Sequence, residues 1–148
     1  MDGIDRQILN LIQGSFPMVE EPYRAIAGRV GVSEEEAIDR IRKLKEDGII
    51  RRIGAVFDPG KLGFVSALCA ARVPDEKVAA FAAAVNACPG VTHNYRRNDE
   101  YNIWFTVTAR SEEEIGRCIA VVREKTGVAD IMSMRAVRTF KIDVNFIL

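Results

Sequence analysis

The residues from Thr92 to Thr106, THNYRRNDEYNIWFT, concentrate the side chains of this chain that do chemistry. They hold its only histidine (His93), its only tryptophan (Trp104), two of its three tyrosines (Tyr95 and Tyr101) and the adjacent arginines Arg96 and Arg97. Imidazole gains and loses a proton near neutral pH, so His93 suits acid–base work. Guanidinium forks bind carboxylates in a bidentate manner. Aromatic walls line most small-molecule sites. Together these groups fit a site for a polyanionic small molecule. Each also has a plainer role. His93 fits an ordinary surface histidine and Trp104 fits core packing. Arg96 and Arg97 beside Asp99 and Glu100 fit a solvated turn with surface ion pairs.

The segment alternates like a β-hairpin. His93, Tyr95 and Arg97 share one strand face, and Thr92, Asn94 and Arg96 share the other. In the following strand Tyr101, Ile103, Phe105 and Val107 read as a core face. Asn102, Trp104, Thr106 and Thr108 oppose them, a mixture that suits a flat aromatic ligand. Arg135 and Arg138 fall on the last predicted strand, on opposite faces, and Arg72 closes the first. These arginines are further carboxylate partners, or protection for an edge strand.

The elements that must position the hairpin have two different periods. Over residues 1–60 the pattern is helical. Asp2 caps a helix carrying Ile4, Ile8, Leu11 and Ile12, which Gly14 and Pro17 end. A second helix runs from about Pro22 to Val30, with Gly31 past its end. Ser33 and Glu36 form a capping box for a third, whose stripe is Ala37, Ile38, Ile41 and Leu44 and which stops at Gly48. Ile49 to Phe57 reads as a short β-wing closed by Asp58-Pro59-Gly60. This is a winged helix-turn-helix domain. Over residues 61–148 the expected order is strand Phe64–Val73, an Asp75 cap, helix Val78–Ala87, strands Val91–Arg97 and Asn102–Ala109, a Ser111–Glu114 capping box, a helix to about Lys125, and strand Ile131–Ile142. That βαββαβ order predicts a ferredoxin-like α+β domain with helices on one sheet face. The other face needs a cover, and a partner subunit is the usual one.

Bulk properties narrow the function. The 148 residues are 48% hydrophobic and 28% charged, with 21 basic and 21 acidic side chains. A zero net charge is a poor start for a nucleic-acid binder. The third helix, which would enter a major groove, starts Ser33-Glu34-Glu35-Glu36. From Ser33 to Asp47 there are six carboxylates and four basic side chains, so DNA binding is expected to be weak even with Arg51 and Arg52 in the wing. The acids also suit the positive end of a helix dipole. No apolar run is long enough to span a membrane, and the start lacks a signal-peptide pattern, so a cytoplasmic protein is expected. Cys69, Cys88 and Cys118 read as small core residues in a reducing compartment rather than metal ligands.

The winged helix followed by βαββαβ resembles the Lrp/AsnC family of transcription regulators. The segment GVTHNYRRNDEYNIWFT from Gly90 to Thr106 more closely resembles the siroheme decarboxylases, Lrp/AsnC-like carboxy-lyases of heme biosynthesis. The Phe16-Pro17 step and the DPGKLGF run from Asp58 to Phe64 fit the same resemblance. It implies removal of the C12 and C18 acetate carboxyls of siroheme, giving 12,18-didecarboxysiroheme, with no added cofactor beyond the iron in the substrate. It implies an alpha-type subunit paired with a homologous beta-type chain as a heterodimer or larger assembly. His93 is then the expected proton donor, with Tyr95 as the alternative donor or an orienting group. Arg96, Arg97, Arg135 and Arg138 become candidates to hold substrate carboxylates. Asn94, Tyr101, Asn102 and Trp104 line the expected substrate site. His93 as an axial ligand of the siroheme iron is a further reading. Two alternatives from other classes are a DNA-binding regulator and a tetrapyrrole-binding sensor or carrier.

Overall fold

The computed structural model describes residues 1–142, 146 and 148. The chain divides into two compact units, Met1–Ala55 with Lys141–Leu148, and Val56–Phe140.

The first unit is built on three helices, α1 (Gly3–Ser15), α2 (Pro22–Val30) and α3 (Glu34–Glu46). Reciprocal capping starts α1: Asp2 Oδ1 accepts from the Asp5 amide at 2.9 Å, and Asp5 Oδ2 accepts from the Asp2 amide at 2.8 Å. Gly31 ends α2 in the left-handed region, at φ 76°. Ser33 Oγ accepts from the Glu36 amide at 3.1 Å, but the Glu36 carboxylate turns to Arg40 instead of completing the expected box. Ile8, Leu9, Ile26, Ile41, Leu44 and Ile50 form the buried centre. Ala37 is also buried, whereas Ile38 of the expected stripe is only half-buried.

Arg40 ties α3 to the start of α1, bonding Asp2 at 2.8 Å, Asp5 at 2.9 Å and Glu36 at 2.8 Å. The Asp5 amide and then Arg40 hold the Asp2 carboxyl down to about 2 from its ordinary 3.8. A lowered folded pKa stabilises the protein above the ordinary value and is lost as pH falls through the folded one. Thermal stability is therefore expected to fall as the pH drops from about 4 to about 2, and Asp2→Asn to make that acid slope shallower. Melting curves across that range check it; an unaltered slope in Asp2→Asn would count against the pairing.

The expected wing strands are not formed: residues 49–57 carry no strand pairing. Ile50 alone of that run is buried, while Ile49, Ile53, Val56 and Phe57 stay exposed. A lone two-stranded ribbon is marginal without a packed face, and this run has none among the described residues. Asp58 organises the turn that follows, its Oδ1 accepting from the Gly60 amide at 2.9 Å. In the first unit the Gln13 side chain also grips the Phe146 backbone, donating to its carbonyl and accepting from its amide.

The second unit is an antiparallel sheet in the order β2-β3-β1-β4, with β1 (Val65–Ala71), β2 (Val91–Arg96), β3 (Ile103–Ala109) and β4 (Ile131–Arg135). Helices α4 (Val78–Asn86) and α5 (Glu112–Thr126) complete the βαββαβ order. Their residues Phe81, Val85, Ile115, Ile119 and Val122 share a core with Ala67, Cys69, Ala71, Ile103, Phe105 and Val107. Phe81 meets Phe105 edge-on at 6.2 Å. Cys69 and Cys88 are buried in this core and Cys118 packs against it. Burial pushes the Cys118 thiol up to about 12. Ser111 Oγ caps α5 through the Glu114 amide, while Glu114 accepts from the Arg110 amide, one residue before the cap.

Two expectations are corrected here. Asp75 caps no helix; its carboxylate takes Arg96 at 2.7 Å, and residues Asp75–Lys77 form a 3-10 turn. The last strand ends at Arg135, not Ile142. Arg135 pairs with Ala67, and β1 begins only at Val65, so the ladder soon runs out of partners. Among the described residues, no helix is long and apolar enough to cross a membrane.

Candidate active site

Directly opposed residues in an antiparallel ladder point to the same sheet face. The registers therefore place His93, Thr106, Leu68 and Met134 in one row across the sheet. Tyr95, Trp104, Ala70 and Met132 form the next row on the same face. Asn94, Phe105 and Cys69 lie on the helix-bearing face. These two rows combine one imidazole, one phenol, one indole, one hydroxyl and four apolar side chains. Tyr95 is 49% exposed, Leu68 44%, Met132 38% and Met134 36%. Sequence reasoning did not single out Leu68, Met132 or Met134, although the IMSMR alternation of β4 carries the signal for the methionines.

His93 and Tyr95 stack with ring centroids 6.0 Å apart and planes 28° from parallel. His93 Nδ1 meets Thr92 Oγ1 at 3.0 Å. Trp104 Nε1 donates to the Tyr101 carbonyl at 2.6 Å, which fixes the indole on the sheet. The Arg97 guanidinium lies over that indole, 5.8 Å from its centre. These four residues thus place a titratable ring, a phenol, a flat wall and a cation at one end of the open face. Beside them, at the tip of the β2–β3 hairpin, is a concavity of about 490 Å³ lined by Asp75, Arg96, Arg97, Asn98, Asp99 and Asn102.

The remaining residues singled out in the sequence are engaged with other partners, although Arg96 and Asn102 also line that concavity. Asn94 bonds Asn86 at the end of α4, at 2.9 Å. Arg96, opposite Ile103 on the helix side, is held by Asp75. Tyr101 donates its hydroxyl to Asp130 at 3.1 Å and lies under Arg72, itself paired with Glu100 and Asp130. The Asn102 amide is taken up by both backbone groups of Val73, at 2.9 and 2.7 Å. Arg135 pairs with Glu112 at the start of α5, so it reaches toward the helix layer. Arg138 lies beyond β4, with its guanidinium 4.9 Å from the centre of the Phe140 ring. Among the described residues no cluster of ligating side chains could hold a metal ion.

Comparison with known proteins gives this geometry a family. Residues 61–141 match the model of the AsnC-like ligand binding domain, and residues 5–51 match that of the siroheme decarboxylase NirDL-like helix-turn-helix domain. The chain is 51% identical to the siroheme decarboxylase alpha subunit of Desulfovibrio desulfuricans, over 99% of this chain and 84% of that one. The chain belongs to the siroheme decarboxylase family. The alpha subunit of Nitratidesulfovibrio vulgaris is 46% identical, over 99% of this chain and 82% of its own length. Among solved structures, the siroheme decarboxylase NirDL in complex with an iron-uroporphyrin III analogue aligns with a TM-score of 0.66 and 37% identity. That alignment covers 95% of this chain but only 48% of NirDL, so the chain spans about half of its length.

Membership of the siroheme decarboxylase family also bears on the helix-turn-helix. Its α3 opens with Glu34, Glu35 and Glu36, where a DNA-reading helix would meet phosphates and base-edge acceptors. Those carboxylates complement the helix dipole and Arg40, which is structural work.

Proposed function

We propose that this chain is a subunit of a siroheme decarboxylase, removing the C12 and C18 acetate carboxyls of siroheme. The observation that carries the reading is the open sheet face, where His93, Tyr95 and Trp104 stand together with Arg97 over the indole. The siroheme decarboxylase relatives, and the iron-uroporphyrin analogue in NirDL, support a tetrapyrrole as the ligand. A planar macrocycle edged with carboxylates needs an aromatic or apolar wall and cationic partners. Trp104, Leu68, Met132 and Met134 supply the first, and Arg97 a cation beside the indole.

Loss of CO2 breaks the bond between the acetate methylene and its carboxyl. The bonding electrons stay on the methylene and spread into the macrocycle. A proton delivered to that carbon completes the methyl group, so no redox partner is needed. His93 Nε2 is the donor in this reading, and Tyr95 orients the imidazole or serves as a reserve donor. The departing carboxylate lies against neutral groups, because an arginine clamp would stabilise the ground state. His93 acts as acid rather than as a ligand of the siroheme iron. The exposed apolar rows support a homologous second subunit as cover for the face. The free cysteines Cys69, Cys88 and Cys118 of this chain fit a reducing cytoplasm.

The test is anaerobic incubation of this chain with siroheme, with and without its homologous second chain, read by product mass. Loss of one or two CO2 units is expected when both chains are present. Siroheme bound without loss of mass would leave a carrier or sensor, and no binding would overturn the reading.

A further inference from the structure

His93 does not sit in a regular strand. The β2–β3 register passes from Val91 opposite Val107 to His93 opposite Thr106, so Thr92 is the extra residue of a β-bulge. In a regular strand the Thr92 and His93 side chains would point to opposite faces and could not meet. The bulge lets Thr92 Oγ1 approach His93 Nδ1 to 3.0 Å. His93 makes no other hydrogen bond among the described residues. One side of the ring is covered by Tyr95, stacked at 6.0 Å. The ring is thus held at its Nδ1 edge and along one side.

We infer that Thr92 is a positioning residue: its hydroxyl holds Nδ1 of His93, leaving Nε2 as the nitrogen that exchanges a proton with substrate. This rests on the reading of His93 as the proton donor. A hydroxyl oxygen accepts from Nδ1–H both in the imidazolium and in the neutral Nδ1–H form. The imidazolium gives its Nε2 proton to the methylene carbon as the carboxyl leaves as CO2. What remains is the neutral Nδ1–H ring, still donating to Thr92. Without that acceptor the product tautomer loses its partner and the ring its orientation, as when the orienting group of a catalytic histidine is removed.

The test is made in the assembled enzyme, with this chain paired to its homologous second chain. Thr92→Val keeps the β-branched shape and removes the hydroxyl; Thr92→Ser keeps the hydroxyl. Because His93 is the only histidine, labelling this chain alone makes its ring nitrogens directly assignable by nitrogen-15 NMR. Thr92→Val is expected to lower kcat about tenfold, the scale of one lost hydrogen bond, with KM nearly unchanged. The neutral ring is expected to move from Nδ1–H toward Nε2–H, and Thr92→Ser to restore both readouts. A kcat loss without a tautomer change, a loss that serine does not rescue, or no change in either readout would overturn the inference. Full turnover in His93→Ala would instead overturn the donor reading, and the ring spectrum of Thr92→Val would then judge the hydrogen bond separately.

Discussion

His93→Ala is expected to leave an assembled enzyme that binds siroheme but decarboxylates it about 10² to 10⁴ times more slowly, the range that a positioned proton donor contributes. The structure gives reasons for both halves of that outcome. The imidazole stands on the open sheet face, bonded only to Thr92 among the described residues, so its loss strands no buried polar group. The aromatic wall survives, because Trp104 is fixed by its own bond to the Tyr101 carbonyl. Arg97, the cation over that wall, is untouched. Siroheme affinity, followed by absorption titration, is therefore expected to change by less than about tenfold. Tyr95→Phe separates the two donors: a small effect leaves the proton with His93, whereas a loss equal to that of His93→Ala would assign it to the phenol. Loss of binding together with an altered visible spectrum of bound siroheme would point to His93 as an iron ligand instead. Unchanged turnover would remove His93 from the chemistry.

Much of the scaffold was legible because it is locally encoded. Asp2, Ser33 and Ser111 each accept from an amide three residues on, a contact that needs nothing beyond its own turn. Ile103, Phe105 and Val107 alternate into the core because a strand has period two. Features that depend on a neighbour were not legible. Residues 49–57 have the composition of a wing but no strand partner among the described residues. The predicted strand from Ile131 stops at Arg135, opposite Ala67 of β1, and nothing in its own residues announces where that pairing ends. Alternation separates Arg135 from Met134, but only pairing with β1 decides that Arg135 reaches Glu112. The Asn102 amide belongs to Val73, far away in sequence. The bulge at Thr92 is of the same kind. One extra residue on β2 exists only relative to β3, and regular alternation put Thr92 on the face opposite His93.

The start of β2 makes the strongest stability prediction. Gly90 has φ +82°, and a Cβ built there would lie 2.0 Å from the Thr108 carbonyl oxygen and 3.1 Å from its carbon. Thr108 belongs to β3, and its amide donates to the Gly90 carbonyl at 2.9 Å, so the two backbones are already locked together. A side chain here carries two costs: about 1–2 kcal/mol for the left-handed conformation and about 1–3 kcal/mol for forcing packed backbone apart. Gly90→Ala is expected to destabilise the protein by about 2–5 kcal/mol and to lower the melting temperature by about 10 °C or more. Gly31→Ala is the control. It has φ +76° but nothing within 4 Å of an added Cβ, so it carries the conformational cost alone. The difference between the two variants isolates the clash. Gly90→Ala is also expected to cost activity at temperatures where it remains folded. The displaced segment leads directly into Thr92, His93 and Tyr95, and a small shift of positioned groups is enough to slow a reaction that depends on their alignment. Equal destabilisation by both variants would mean that β2 relaxes freely at its first residue; turnover should then survive, and the rigid placement of His93 argued from this sheet would fail with it.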